Sequence, residues 1–105
     1  MRTRLLPALS SFDPDIIFIS AGFDGHADDF YYFLTEDDFS WITIELKRIA
    51  DRCCDGRIVS VLEGGYNIDP VDARTKKGVK RQSTDCSQYG SLARSCAAHV
   101  EALMS

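Results

Sequence analysis

The chain has 105 residues, is 45% hydrophobic and 27% charged, and carries a formal net charge of −4 at neutral pH. That length holds one domain at most, the composition is that of a folded chain, and the acidic balance argues against general nucleic-acid affinity while tolerating a basic partner. No apolar run approaches a membrane span, and residues 1–7 are too short and too soon broken by Pro7 to serve as a secretory signal, so an intracellular chain is expected.

Residues 1–11 carry Leu5, Leu6, Ala8 and Leu9 around Pro7, which suits the tail of a helix that begins before the chain does. A turn at Asp13, Pro14 and Asp15 then feeds a strand over residues 16–21. Its Ile16, Ile17, Phe18 and Ile19 have the β-branched and aromatic character of a strand covered on both faces. Residues 22–34 mix glycine, aspartate and aromatics without period and are read as a loop with functional content. The cluster Phe30, Tyr31, Tyr32 and Phe33 either walls a pocket or packs beneath that loop.

Thr35, Glu36, Asp37 and Asp38 have the form of a capping box and predict a helix start. Phe39, Ile42, Leu46, Ile49, Ala50 and Cys53 follow at spacings of three and four, a stripe that should face a sheet, with Glu45, Lys47, Arg48 and Asp51 off it. Asp55 and Gly56 stop the helix. Residues 57–62 read as a second strand that empties into Glu63, Gly64, Gly65 and Tyr66, and one crossover helix between adjacent parallel strands fits the 42 residues separating Asp24 from Tyr66. Residues 68–88 read as a loop insertion. Its basic run at 74–81 is either a solvated face or a nuclear-import or histone-proximal element. Tyr89, Leu92, Ala93, Cys96, Ala97, Val100 and Leu103 form a last helical stripe. Cys53, Cys54, Cys86 and Cys96 show no CxxC spacing and read as small apolar residues.

In an open parallel sheet, ligands gather where the strands end, and Asp24 and Tyr66 both stand at such exits. Asp24 lies between Gly22 and Gly25, where unencumbered backbone lets a carboxylate approach a divalent metal; its bland alternative is a turn residue. Asp24 and His26 have a D-x-H spacing that suggests two ligands, but zinc needs a third and the residues supply no obvious partner. Tyr66, delivered by a glycine pair, is a hydrogen-bond donor suited to a developing oxyanion, or else an ordinary turn tyrosine. The phosphate-binding patterns GxGxxG and GxxxxGK[ST] are missing.

The segments SAGFDGHADD and RIVSVLEGGYN, in that order, with FDPDIIFI before them and YGSLARSCAAHVEAL after, resemble the zinc-dependent histone deacetylase family, most closely its class II and acetylpolyamine-amidohydrolase-like branches. The resemblance implies an α/β, parallel-sheet, arginase/deacetylase-like three-layer sandwich, of which residues 1–105 would be a C-terminal fragment of the catalytic domain. It implies hydrolysis of acetyl-lysine with Zn2+ as cofactor. Asp24 matches a zinc ligand, Tyr66 the tyrosine that stabilises the tetrahedral intermediate, and Gly64 and Gly65 the loop shaping the substrate channel; His26 matches a frequent residue that is not a ligand. Implied partners are an acetylated lysine of a histone or other protein, or an acetylated polyamine, and corepressors, with neither nucleic acid nor membrane, in nucleus or cytoplasm. The family's Asp-x-His ligand pair and tandem histidines have no counterpart before Asp24, so the fragment alone is expected to be inactive, its zinc site incomplete. The competing expectation is a non-catalytic interaction module built on the same fold.

Overall fold

The structure, a computed structural model, describes residues 1–29, 33–69 and 89–105. Two parallel strands, β1 (Ile17–Gly22) and β2 (Ile58–Gly64), form the sheet. Helices α1 (Leu5–Phe12), α2 (Glu36–Cys53) and α3 (Ser91–Met104) pack on one face of it, through two apolar clusters. Helix α2 is the crossover between the strands. The α/β parallel-sheet class expected from the sequence is the one observed.

Helix α2 forms as its local sequence dictates. The Asp38 carboxylate accepts from the Thr35 backbone N–H at 2.8 Å and from its hydroxyl at 3.0 Å, closing the capping box. Phe39, Ile49 and Ala50 are buried on the stripe read from the sequence, with Ile42, Leu46 and Cys53 partly so. Thr43, off that stripe, is buried as well. The chain leaves the helix through left-handed conformations at Asp55 and Gly56, and the Gly56 N–H reaches back to the Ala50 carbonyl at 3.0 Å. Cys54 fills the core beside Ile17, Ile49 and Leu6, as a small apolar residue would. Helix α1 accommodates Pro7 in its first turn, where the missing N–H leaves no intrahelical bond unmade.

Strand β1 lies one residue later than the 16–21 read from the sequence, and three further boundaries or faces differ from expectation. First, β1 is covered on one face only: Ile17 and Ala21 are buried, whereas Phe18 is 69% exposed. Phe18 shares its open face with Val59 and Val61, and no element among the described residues packs there. Second, β2 starts one residue later than read and runs two residues further. The register passes from Ala21↔Leu62 to Gly22↔Gly64, leaving Glu63 as an extra residue in a bulge. Third, α3 buries Ser91, Ser95, His99 and Ala102 most deeply, while of the apolar stripe Leu92 and Cys96 pack partly buried against the core. Small residues let α3 approach α2 closely, while Val100 is 49% exposed and, with Leu103 and Cys96, lines a groove beside Leu62. The reading of residues 70–88, of Cys86 and of Phe30, Tyr31 and Tyr32 lies outside the described residues; Phe33 is exposed.

Candidate functional site

Beyond Gly22 the chain makes a single 3-10 turn, Phe23–Gly25, that turns Asp24 back over the strand ends. Phe23 is buried against Phe39 in edge-to-face contact at 5.1 Å, which anchors the turn. The bulge at Glu63 sets Gly64 opposite Gly22, and the half-buried Asp24 carboxylate occupies the space both glycines leave. A Cβ at Gly22 would stand 2.9 Å from Asp24 Oδ1, and one at Gly64 only 2.7 Å from it. Any larger residue at either position would displace the carboxylate.

The loop carrying Tyr66 therefore begins on Asp24. Gly65 has φ +129°, and a Cβ there would meet Leu92 Cδ1 at 2.6 Å and Phe23 Cβ at 3.2 Å, so both conformation and space require glycine. Tyr66 follows at the surface, 63% exposed. The two strand ends thus bring Asp24, Gly64, Gly65 and Tyr66 to one end of the sheet, as the spacing of the motifs implies.

His26 does not join them. Its Nδ1 accepts the Asp28 backbone N–H at 2.9 Å, which puts the ring proton on Nε2. Nε2 faces Glu36 Oε2 at 3.1 Å, an ion-pair distance without the alignment of a hydrogen bond. With both nitrogens turned to protein groups, the D-x-H pair is not a ligand pair. Among the described residues no group of three or more His, Cys, Asp or Glu side chains is placed to hold a metal ion. Asp24 offers one carboxylate where a zinc site takes at least three protein ligands, so the described residues do not complete such a site.

A polar cluster that sequence reasoning missed holds the site from the side. The Asp29 carboxylate accepts the backbone N–H groups of Tyr66 at 2.7 Å and Asn67 at 3.0 Å. Asn67 Nδ2 donates to the Asp28 carbonyl at 2.6 Å, and Leu92 N–H donates to the Asn67 carbonyl at 3.1 Å. Arg94 on α3 bonds the Glu36 carboxylate, the Asp28 carboxylate at 3.0 Å and the Tyr89 carbonyl at 2.9 Å. Burial acts to raise the Glu36 pKa, but the Arg94 hydrogen bond, with a smaller contribution from His26, prevails and holds it at about 2. Burial likewise works to lower that of Arg94, and its two carboxylate partners push it above the ordinary value. The only available signal for this cluster was the Asp28–Asp29 pair following the GFD segment, and it names no partner.

His99 on α3 ties the layers together. Its Nδ1 lies 2.7 Å from Thr43 Oγ1 and its Nε2 2.8 Å from Ser60 Oγ. Thr43 gives its hydroxyl proton to the Phe39 carbonyl at 2.7 Å, so it accepts from Nδ1–H and Ser60 donates to Nε2. The ring is neutral in that arrangement, and burial lowers its pKa accordingly.

A parallel α/β unit with a carboxylate and a phenol-bearing glycine loop at adjacent strand ends places both groups at the carboxyl edge of the sheet, where open α/β folds bind their ligands. The family model of the histone deacetylase domain matches residues 1–81, and the chain belongs to the histone deacetylase family. It is 46% identical over 72 residues to type-2 histone deacetylase 2 of Dictyostelium discoideum, covering 67% of this chain and 4% of that protein. It is 37% identical over 95 residues to histone deacetylase 4 of Caenorhabditis briggsae, covering 87% of this chain and 10% of that protein. A crystal structure of the HDA15 HD domain superposes with a TM-score of 0.65 at 28% identity, over 97% of this chain and 22% of that one. The chain therefore spans a small part of the length of the relatives it matches.

Proposed function

We propose that residues 1–105 form a C-terminal portion of a zinc-dependent lysine deacetylase catalytic domain, in which Asp24 supplies one zinc ligand and Tyr66 donates a hydrogen bond to the substrate oxyanion. The observation that carries this reading is the seating of the Asp24 carboxylate on Gly22 and Gly64, at the root of the loop that presents Tyr66. When water adds to an acetamide carbonyl, negative charge develops on its oxygen, and a phenol O–H placed there stabilises that charge without taking it up. Gly64 keeps the backbone close to Asp24, and Gly65 lets the loop that presents Tyr66 pass close to Leu92 and Phe23. The remaining zinc ligands and the proton-transferring histidines come from the rest of the catalytic domain; by itself this portion is inactive. The substrate is an acetylated lysine of a histone or another protein, or an acetylated polyamine, in the nucleus or cytoplasm, with corepressors as partners of the whole enzyme.

Elemental analysis of a catalytic domain containing this chain tests the assignment of Asp24. Asp24→Ala should lose most of its zinc together with acetyl-lysine hydrolysis, and full zinc occupancy in that variant would refute the ligand role. A second reading, a non-catalytic interaction module, is favoured by the open apolar face of the sheet at Phe18, Val59 and Val61. Acetyl-lysine hydrolysis by the zinc-supplied domain separates the two, since a module gives none.

A further inference from the structure

We infer that Asp29 is the positioning residue of Tyr66, fixing the backbone from which the phenol projects. This role rests on the reading of Tyr66 as oxyanion donor, and Asp29 acts through the backbone amides it holds. The loop after β2 is held at Asn67 by bonds to Asp28 and Leu92, and at the Tyr66 amide by Asp29. It follows a glycine in a left-handed conformation, and Tyr66 is exposed, so burial does little to fix it. Two consecutive backbone N–H groups, of Tyr66 and Asn67, converge on the same oxygen, Asp29 Oδ2, at 2.7 and 3.0 Å. Hydrogen bonds to an ionised carboxylate are roughly twice as strong as neutral ones, and a pair sharing one acceptor fixes the orientation of the intervening peptide.

Asp29 is itself anchored. Its neighbour Asp28 receives the Asn67 side chain on its carbonyl and Arg94 on its carboxylate. Asp28 also lends its N–H to His26, and the Asp29 N–H donates to the His26 carbonyl at 3.0 Å. His26 is buried two residues beyond Asp24. The segment that carries the carboxylate and the loop that carries the phenol are thereby one rigid piece, with Asp29 as the pin between them. A misplacement of about 1 Å at a reacting group costs on the order of 100-fold in rate, so the pin matters to kcat even though it takes no part in chemistry.

The test has a readout independent of activity. In Asp29→Ala the amide hydrogens of Tyr66 and Asn67 should exchange about 10-fold or more faster, while β1 and α2 amides are unchanged. In the zinc-loaded catalytic domain the same variant should lower kcat roughly 10- to 100-fold with little change in KM and none in zinc content. Asp29→Asn, which keeps an acceptor oxygen in place, should recover most of both losses and serves if the alanine variant does not fold. Added to Tyr66→Phe, Asp29→Ala should cost no more than about 2-fold further, because the group it positions is already gone. Wild-type amide exchange in Asp29→Ala, an asparagine variant no better than alanine, or additive losses in the double variant would each overturn the inference. An inert Tyr66→Phe would instead overturn the functional reading, leaving the amide exchange to decide the role of Asp29.

Discussion

His99 illustrates how a single buried side chain can join three elements. It stands on α3, receives Ser60 from β2 and gives to Thr43 on α2, and its ring meets Phe23 edge-on at 5.6 Å, next to Asp24. The groups facing it are two hydroxyls and an aromatic ring, none of them charged. The folded state therefore prefers the neutral imidazole, whose pKa burial depresses, while the unfolded chain titrates near the ordinary 6.5. Below that value the unfolded chain binds a proton that the folded one resists, so stability is complete above pH 6.5 and is lost as pH falls from there towards the depressed folded value. Urea midpoints measured across this range should fall with pH in the wild type and be flatter in His99→Phe. Equal slopes would show that the ring is not held neutral. None of this was legible in the sequence, because the partners of His99 lie 39 and 56 residues away and a histidine among serines and alanines reads as surface.

At the scale of elements, α2 was the most legible part of the chain because its determinants are local. The box at Thr35 and Asp38 and the stripe from Phe39 to Cys53 are complete within one stretch of sequence. What the stretch could not reveal is that its first residue, Glu36, is tied to α3 through Arg94 and faces His26. That link also weakens as pH falls, here because folding holds a group charged rather than neutral. The folded pKa of Glu36 is held at about 2 against an ordinary 4.5, so its contribution is whole above 4.5 and is lost as pH falls from 4.5 through about 2. Glu36→Gln should remove that acid-limb slope from the stability profile, measured by urea midpoint, and leave the midpoint near pH 7 lower than in the wild type. An unchanged acid limb would mean that Arg94 and His26 do not hold the carboxylate in solution. The apolar stripe of α3 was legible in Leu92 and Cys96, which pack on the core, but not the deeper burial of the small residues Ser91 and Ser95, a criterion that hydrophobic periodicity does not contain.

Across the molecule, the three helices cover one face of a two-stranded sheet and leave Phe18, Val59 and Val61 open on the other. A strand read as covered on both faces is thus half-covered by the described residues, which fits a unit that spans 22% of the HDA15 HD domain chain. The placement of Asp24 and Tyr66 at neighbouring strand ends was legible because each sits in a short motif after an apolar run. The bulge at Glu63 that brings Gly64 onto Asp24 was not, since register depends on both strands at once. That bulge and Asp29 join the two strand ends, and the proposed use of this end of the sheet as the oxyanion side of a deacetylase is the claim on which the rest depends. The most direct measurement is steady-state hydrolysis of an acetyl-lysine peptide by the zinc-loaded catalytic domain carrying Tyr66→Phe, with metal content determined on the same sample. A fall in kcat of about 100- to 1,000-fold at unchanged zinc content is expected; wild-type turnover at full zinc occupancy would contradict it.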